Sequence, residues 1–260
     1  MDYSDKQKYW QYQYQLGIEY LIPQLQQWGA EIGRTSVLDI GCAEAGVLCA
    51  MVARGAAATG MELSPSRLHW ARQIAIEKNF TLQLLAADFF HPPIRPDKAF
   101  DVIILRDVFE HLPDKMLALK RLAEMMSPST RLLLTFPPFY SPFGGHQQVL
   151  KSFWRRVPYF HVLPSFLWRL VRSHIERVDR NAGFLAEMEK LRRHRATISQ
   201  LKRESARRGL RIVAARYYHS RPSYKLRYGW PVLESRLIGR IPILREWLIT
   251  GVTMVLAKNA

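Results

Sequence analysis

The chain has 260 residues, 48% of them hydrophobic and 23% charged, a composition that excludes a disordered segment and allows a sizeable core. Its 38 Lys and Arg against 22 Asp and Glu give a formal net charge of +16. Residues 151–245 hold 23 of those cations and 6 of those acids, so the excess belongs to one region and the rest of the chain is nearly neutral.

In chain order, residues 1–35 read as a helical segment. From 36 to 136, short apolar strands alternate with amphipathic helices. The strands are expected at 36–40, 57–62, 81–86, 100–105 and 131–136, and the helices at 46–54, 65–78 and 114–126. Ser64 is suited to cap the second helix, with Pro65 in its first position, and Ser127-Pro128 ends the third. Strands that are apolar throughout, alternating with helices, argue for a parallel sheet covered on both faces. After Phe136 the rhythm breaks. Residues 137–182 form a basic insertion rich in proline and aromatics, expected to act as a substrate lid. A segment at 183–217 returns to the core with a charged helix at about 184–208 and a strand at 210–217. A second insertion, 218–248, precedes the terminal segment 249–260 and its last strand at 251–257.

Two cysteines, Cys42 and Cys49, make no disulfide framework and fit a reducing compartment. The N-terminus is polar and aromatic, unlike a secretory leader. The most apolar run, 247–257, is too short to span a bilayer. A cytoplasmic chain, at most peripheral at a membrane, is expected. Nothing in the sequence speaks to oligomeric state, and no metal-ligand set is assigned.

The stretch VLDIGCAEAGVL, residues 37–48, runs from a strand through a turn into a helix. Backbone N–H groups and a helix N-terminus converge on nucleotide-type ligands at such turns. Asp39 ends this first strand, Glu62 ends the second in GMELSPSRL, and Asp88 follows the third in AADFF. The fourth strand runs into FDVIILRDVFEHLPD, residues 100–114. Together these residues resemble the class I S-adenosylmethionine-dependent methyltransferases over residues 36–136 and the last strand. A nicotinamide-binding enzyme shares the glycine turn and the Glu, but not the Asp-Phe after the third strand or the Glu-His after the fourth.

The resemblance implies an α/β fold with a Rossmann-like, mostly parallel seven-stranded sheet, helices on both faces, and S-adenosyl-L-methionine as cofactor. It places Asp39 and the backbone of Gly41, Cys42 and Ala43 at the methionine end. Glu62 would accept from both ribose hydroxyls. Leu63 would pack on adenine, Asp88 would accept from its amino group, and Phe89 would offer a neighbouring N–H. Arg106 and Asp107 would lie beneath the methionine moiety. The family's usual turn has glycine where this chain has Ala43 and Ala45. A methyl group costs little there if φ is negative, which is expected, and a catalytically silent relative is the alternative.

The acceptor site of this fold lies beyond strands four and five, where the chain reads FPPFYSPFGGHQQ, residues 136–148. Gly144-Gly145 would let His146 turn inward beside Tyr140, as a base acting on the acceptor. His161, in VPYFHVLP, is a second base or clamp, and His111 lies near the methyl site. The stretch LPSFLWRLVRSHIERV puts Leu163, Phe166, Leu167, Leu170, Val171 and Val178 at helical spacing, opposite Arg169, Arg172 and Arg177. Three acceptors fit the aromatic and basic insertions. One is a small-molecule or lipid-linked, apolar and anionic acceptor, with peripheral contact to an anionic membrane. Another is RNA held on the basic face, which lacks a recognisable appended domain here. The third is an unrelated small molecule beneath a solvated lid.

Overall fold

The structure, a computed structural model, describes residues 3–92 and 100–259. Eight strands form one sheet: β1 (Ser36–Ile40), β2 (Ala57–Glu62), β3 (Gln83–Ala86), β4 (Val102–Arg106), β5 (Arg131–Phe136), β6 (Leu210–Ser220), β7 (Leu233–Glu234) and β8 (Gly251–Lys258). Their order is β3-β2-β1-β4-β5-β8-β6-β7. The pairs among β1 to β5 are parallel, and β8 runs antiparallel between β5 and β6. Seven strands were expected. The eighth, β7, is a two-residue edge strand from the second insertion, too short to leave an alternating pattern.

The sheet is buried from both sides because its strands carry apolar residues on both faces. Leu38, Ile103, Leu105, Leu132 and Leu134 belong to one core cluster, and Val37, Val102, Ile104, Leu133 and Val255 to the other. This is the period of two that each strand's pleat imposes. Chain direction away from the sheet's centre reverses between β1 and β4, which opens a crevice at their C-terminal ends.

Around the sheet lie α1 (Tyr3–Leu16), α2 (Ile22–Gln27), α3 (Gly46–Val52), α4 (Pro65–Glu77), α5 (Lys115–Met125), α6 (Ser165–Asp179), α7 (Ala182–Arg193), α8 (Ile198–Arg207), α9 (Pro222–Tyr228) and α10 (Pro242–Leu248). Ser64 caps α4 by accepting from the Arg67 N–H, and Asp114 caps α5 by accepting from Met116 and Leu117. The single helix expected at 184–208 is two helices, α7 and α8. Between them Ala196 is buried and its carbonyl accepts from the Phe139 N–H at 2.8 Å. Thr197 then caps α8 by accepting from Gln200, while the Glu246 carboxylate accepts from the N–H groups of Ile198 and Ser199. The restart signal was a Thr three residues before a Gln, hidden inside a run of charged residues.

The first insertion has a small core of its own, built from Leu150, Phe160, Trp168, Ile175, Phe184 and Met188. The helix α6 packs on it through Trp168, Val171 and Ile175. The apolar stripe read from the sequence is therefore split: Leu163 and Val171 pack on this core, while Phe166, Leu167, Leu170 and Val178 face outward, with Phe166 60% and Leu170 69% exposed among exposed Arg169, Arg172 and Arg177.

Candidate active site

The loop after β1 keeps a tight shape. Gly41 has φ +75°, and a Cβ there would meet Val108 at 2.4 Å. Ala43 and Ala45 have φ of +53° and +62°, so the expectation of negative φ is corrected. Two alanines hold a left-handed conformation that favours glycine, at a cost of about 1–2 kcal/mol each. Packing from α1 holds them there. Gln13 accepts from the Gly46 N–H at 3.2 Å, Lys6 pairs with Glu44 at 2.6 Å, and a Cβ on Gly46 would lie 2.3 Å from the Trp10 carbonyl oxygen. Replacing both alanines by glycine should relieve that strain while losing two buried methyl groups worth about 0.8 kcal/mol each. A net gain of roughly 1 kcal/mol in denaturant unfolding is expected; a loss of stability would show that the turn is not strained.

Glu62 ties this loop to the next one. One carboxylate oxygen accepts from the Ala43 N–H at 3.0 Å, the other from the Ser64 N–H at 2.9 Å. Asp88 accepts from the Phe90 N–H at 2.9 Å, which outweighs its slight burial and holds its carboxyl below the usual range. At the end of β4, Asp107 takes a left-handed turn with φ +53°. Burial alone would raise its carboxyl, but Arg221, at 3.0 Å, and Arg106, at 3.6 Å, outweigh it and hold the group ionised.

These elements surround a cavity of about 950 Å³. Gly41, Ala43, Glu62, Leu63, Asp88 and Phe89 line its side toward β1, β2 and β3. Arg106, Asp107, His111 and His146 line the side toward β4 and β5. Ten of the fourteen site residues expected from the sequence thus share one cavity. That volume lies at the upper end of small-molecule sites, with room for a nucleoside-type cofactor and an acceptor together.

Four expected residues lie elsewhere. Cys42 is buried behind the loop, where its N–H donates to the Met61 carbonyl. His161 is fully buried beside the small insertion core, 2.6 Å from the Phe139 carbonyl oxygen, with burial pushing its imidazole down to about 4, and it does not line the cavity. Tyr140 faces an adjoining groove, where its hydroxyl accepts from Arg195 and its ring lies on Trp247, so it does not stand beside His146 in the cavity.

Asp39 lies beneath the cavity floor, 2% exposed, with Oδ1 unpartnered. Burial pushes its carboxyl up to about 7, against the pull of Arg106. The folded carboxyl keeps its proton to about pH 7, while the ordinary value is 3.8. The folded state then binds more protons between those values, and stability falls as pH rises through that window. Asp39→Asn should abolish this slope and raise stability at pH 8 by up to about 4 kcal/mol. Urea unfolding at pH 5 and pH 8 measures it; a variant less stable than the parent at pH 8 contradicts the assignment.

Other cavity residues escaped the sequence reading. Tyr9 comes from α1, Glu187, Lys190 and Arg193 from α7, and Arg227 from α9, with Arg221 just before it. α1 and α7 lie in segments expected to be helical, whereas α9 falls in the second insertion, where no helix is expected, and no motif marks residues that a long connection carries back over the sheet edge. Glu187 accepts from Nδ1 of His111 at 2.5 Å. Arg227 stacks over Tyr12 at 4.3 Å. Burial, with the neighbouring His111 and Arg221, pushes the His146 imidazole down to about 3, so it is neutral at working pH.

A family model described as a methyltransferase domain matches residues 7–215. The chain belongs to this methyltransferase family. Its α/β core is the Rossmann-like fold expected for class I. It is similar to ubiquinone biosynthesis O-methyltransferases from Aeromonas salmonicida, 32% identical over 101 residues, and Saccharophagus degradans, 26% identical over 100 residues. Each of these matches covers 38% of this chain and 42% of the relative, so the chain spans less than half the length of the relatives it matches. In fold it is similar to an S-adenosylmethionine-dependent methyltransferase from Clostridium acetobutylicum, with TM-score 0.59, 8% identity, and coverage of 95% of this chain and 92% of that one. Magnesium protoporphyrin IX methyltransferase from Synechocystis with bound S-adenosylhomocysteine gives TM-score 0.55 and 13% identity, covering 95% and 84%.

Proposed function

We propose that the chain transfers the methyl group of S-adenosyl-L-methionine to a hydroxyl of a small-molecule or lipid-linked acceptor that is apolar and carries an anionic group. The observation that carries this reading is the division of one cavity into two chemically different ends. Carboxylates and loop backbone line the end at β1, β2 and β3; imidazoles and cations line the end at β4, α7 and α9.

The first end fits the cofactor. Glu62 would accept from the ribose hydroxyls, Leu63 and Phe89 would flank the adenine, and Asp88 would accept from its amino group. Gly41 and Ala43, with Arg106 and Asp107, would bound the methionine end, and buried Asp39 would support that floor from below. When bound, the cofactor supplies an electrophilic methyl group on a sulfonium centre. The chain's own residues align the acceptor and exclude water. His146, with Nε2 buried and unpartnered, would hold the acceptor hydroxyl. Arg193 and Arg227 have no carboxylate partner among the described residues, and both line the cavity; they would meet the anionic group. The O-methyltransferase name of the relatives supports oxygen as the acceptor atom.

The outward apolar ridge of α6 favours a lipid-linked acceptor taken from an anionic membrane over a nucleic acid. Phe166 and Leu170 gain from burial among acyl chains, while phosphates reward only the arginines. Among the described residues no helix is long and apolar enough to cross a membrane, so contact would be peripheral.

The test is transfer of labelled methyl from the cofactor to phenolic lipids in phosphatidylglycerol vesicles, alongside sedimentation of the chain with those vesicles. Salt-sensitive sedimentation together with label in the lipid is expected. Binding to RNA but not to vesicles would move the acceptor to nucleic acid, and binding to neither would leave a soluble acceptor.

A further inference from the structure

Behind the acceptor wall, more donor atoms converge than hydrogen bonds use. Glu110 follows β4 and is 3% exposed, and both of its carboxylate oxygens are buried without a partner. Oε1 lies 3.7 Å from Nε2 of His111 and 3.7 Å from Nε2 of His146, too far for a hydrogen bond to either. Nε2 of His146 is also buried and unpartnered. The nearby cations are engaged elsewhere. Lys115 donates to the backbone carbonyls of Glu110 and Leu112, and Arg221 pairs with Asp107. Native proteins seldom leave a buried carboxylate facing nothing, so each such group calls for an explanation.

The orientation of His111 supplies one. Its Nδ1 is 2.5 Å from the Glu187 carboxylate, which holds a ring proton on Nδ1 and leaves Nε2 as the atom on the Glu110 side. A carboxylate oxygen and two imidazole nitrogens thus lie together, all within 4.8 Å of one another. Such a set repels itself unless a proton or a metal cation lies between its members, and at 3.7 Å no proton bridges Glu110 to either ring.

We propose that Glu110, His111 and His146 form a site for one divalent transition-metal ion, with Glu187 as the partner that orients His111. Two imidazoles and one carboxylate suit Zn²⁺, Mn²⁺, Fe²⁺ or Co²⁺ better than the all-oxygen preferences of Mg²⁺ and Ca²⁺. Metal–ligand bonds of about 2.0–2.2 Å set neighbouring donors roughly 3–3.5 Å apart, so side-chain rotation closes the site. Both histidines line the cavity. The ion's remaining positions would open toward the acceptor, the arrangement of catalytic rather than structural metal sites. With the ion in place, His146 meets an acceptor oxygen through the metal rather than directly. The inference goes beyond the methyl-transfer reading, and ion binding is measurable without any acceptor or cofactor.

The experiment uses the full chain without a histidine tag, stripped with chelator and titrated with Co²⁺ by visible absorption and with Zn²⁺ by calorimetry. One ion per chain, at micromolar affinity or tighter, with cobalt d–d bands is expected. Glu110→Gln and His146→Asn should each weaken binding at least about tenfold. His146 sits at the cavity edge, so its variant keeps the test alive if Glu110→Gln does not fold. Absence of saturable binding to the folded parent chain, or affinity unchanged in a folded variant, overturns the proposal. Binding of S-adenosylhomocysteine, measured separately, reports on the methyltransferase reading alone.

Discussion

Glu62→Ala is expected to weaken binding of S-adenosylmethionine and of its demethylated product by roughly a hundredfold or more. Glu62 already accepts one N–H from each of two loops, from Ala43 and from Ser64, and each carboxylate oxygen has a further lone pair to offer. In the proposed complex those lone pairs take the two ribose hydroxyls. Losing two charge-assisted bonds of roughly 1.5–3 kcal/mol each accounts for the effect. The same change leaves two loop N–H groups without their partner, so a stability loss of about 1–3 kcal/mol accompanies it. Glu62→Gln separates the two consequences, because its carbonyl still serves one loop while the charge is gone. Calorimetry for affinity and thermal unfolding for stability measure both variants. A folded Glu62→Ala chain with parental affinity removes Glu62 from the site.

His146→Ala should reduce methyl transfer about a hundredfold while leaving cofactor affinity within a fewfold of the parent, because an imidazole pushed down to about 3 positions the acceptor rather than serving as the base expected from the sequence. The ring follows Gly144-Gly145 and has φ +56°, a left-handed turn that aims it into the cavity on the side away from Glu62. Its neighbours there are His111, with ring centroids 5.1 Å apart, and Glu110. A residue that merely shaped the turn would leave turnover near normal once the chain folded. Loss of turnover with product affinity intact places His146 on the acceptor. Near-normal turnover would pass that role to His111, since His161 is buried beside the insertion core and does not line the cavity.

The cofactor half of the site was legible because its residues are local. Asp39 and Glu62 lie at the C-terminal ends of β1 and β2 and Asp88 just beyond β3, and a parallel sheet brings successive strand ends to one edge. The sign of φ at Ala43 and Ala45 was not legible, because alanine in a turn normally signals negative φ and only the packing of α1 on Gly46 reveals the contrary. The acceptor half failed for a different reason. Arg221, Arg227 and Glu187 reach the cavity from long connections, and their positions depend on tertiary packing with no periodic trace. The sequence left open which way α6 faces, because Trp168, Val171 and Ile175 anchor the helix while Phe166, Leu167, Leu170 and Val178 face outward, and both sets recur at helical spacing. Glu110 lies in the motif after β4, but no role for it is legible there, since only the folded chain brings His146 to within 3.7 Å of it.

The most direct measurement is a crystal structure of the chain grown with S-adenosylhomocysteine. The account predicts the ligand in the cavity at the C-terminal ends of β1, β2 and β4, with ribose hydroxyls on Glu62, adenine beside Leu63 and Asp88, and its sulfur facing the His146 side. A ligand bound elsewhere, or a cavity that stays empty of it at millimolar concentration, would contradict the account.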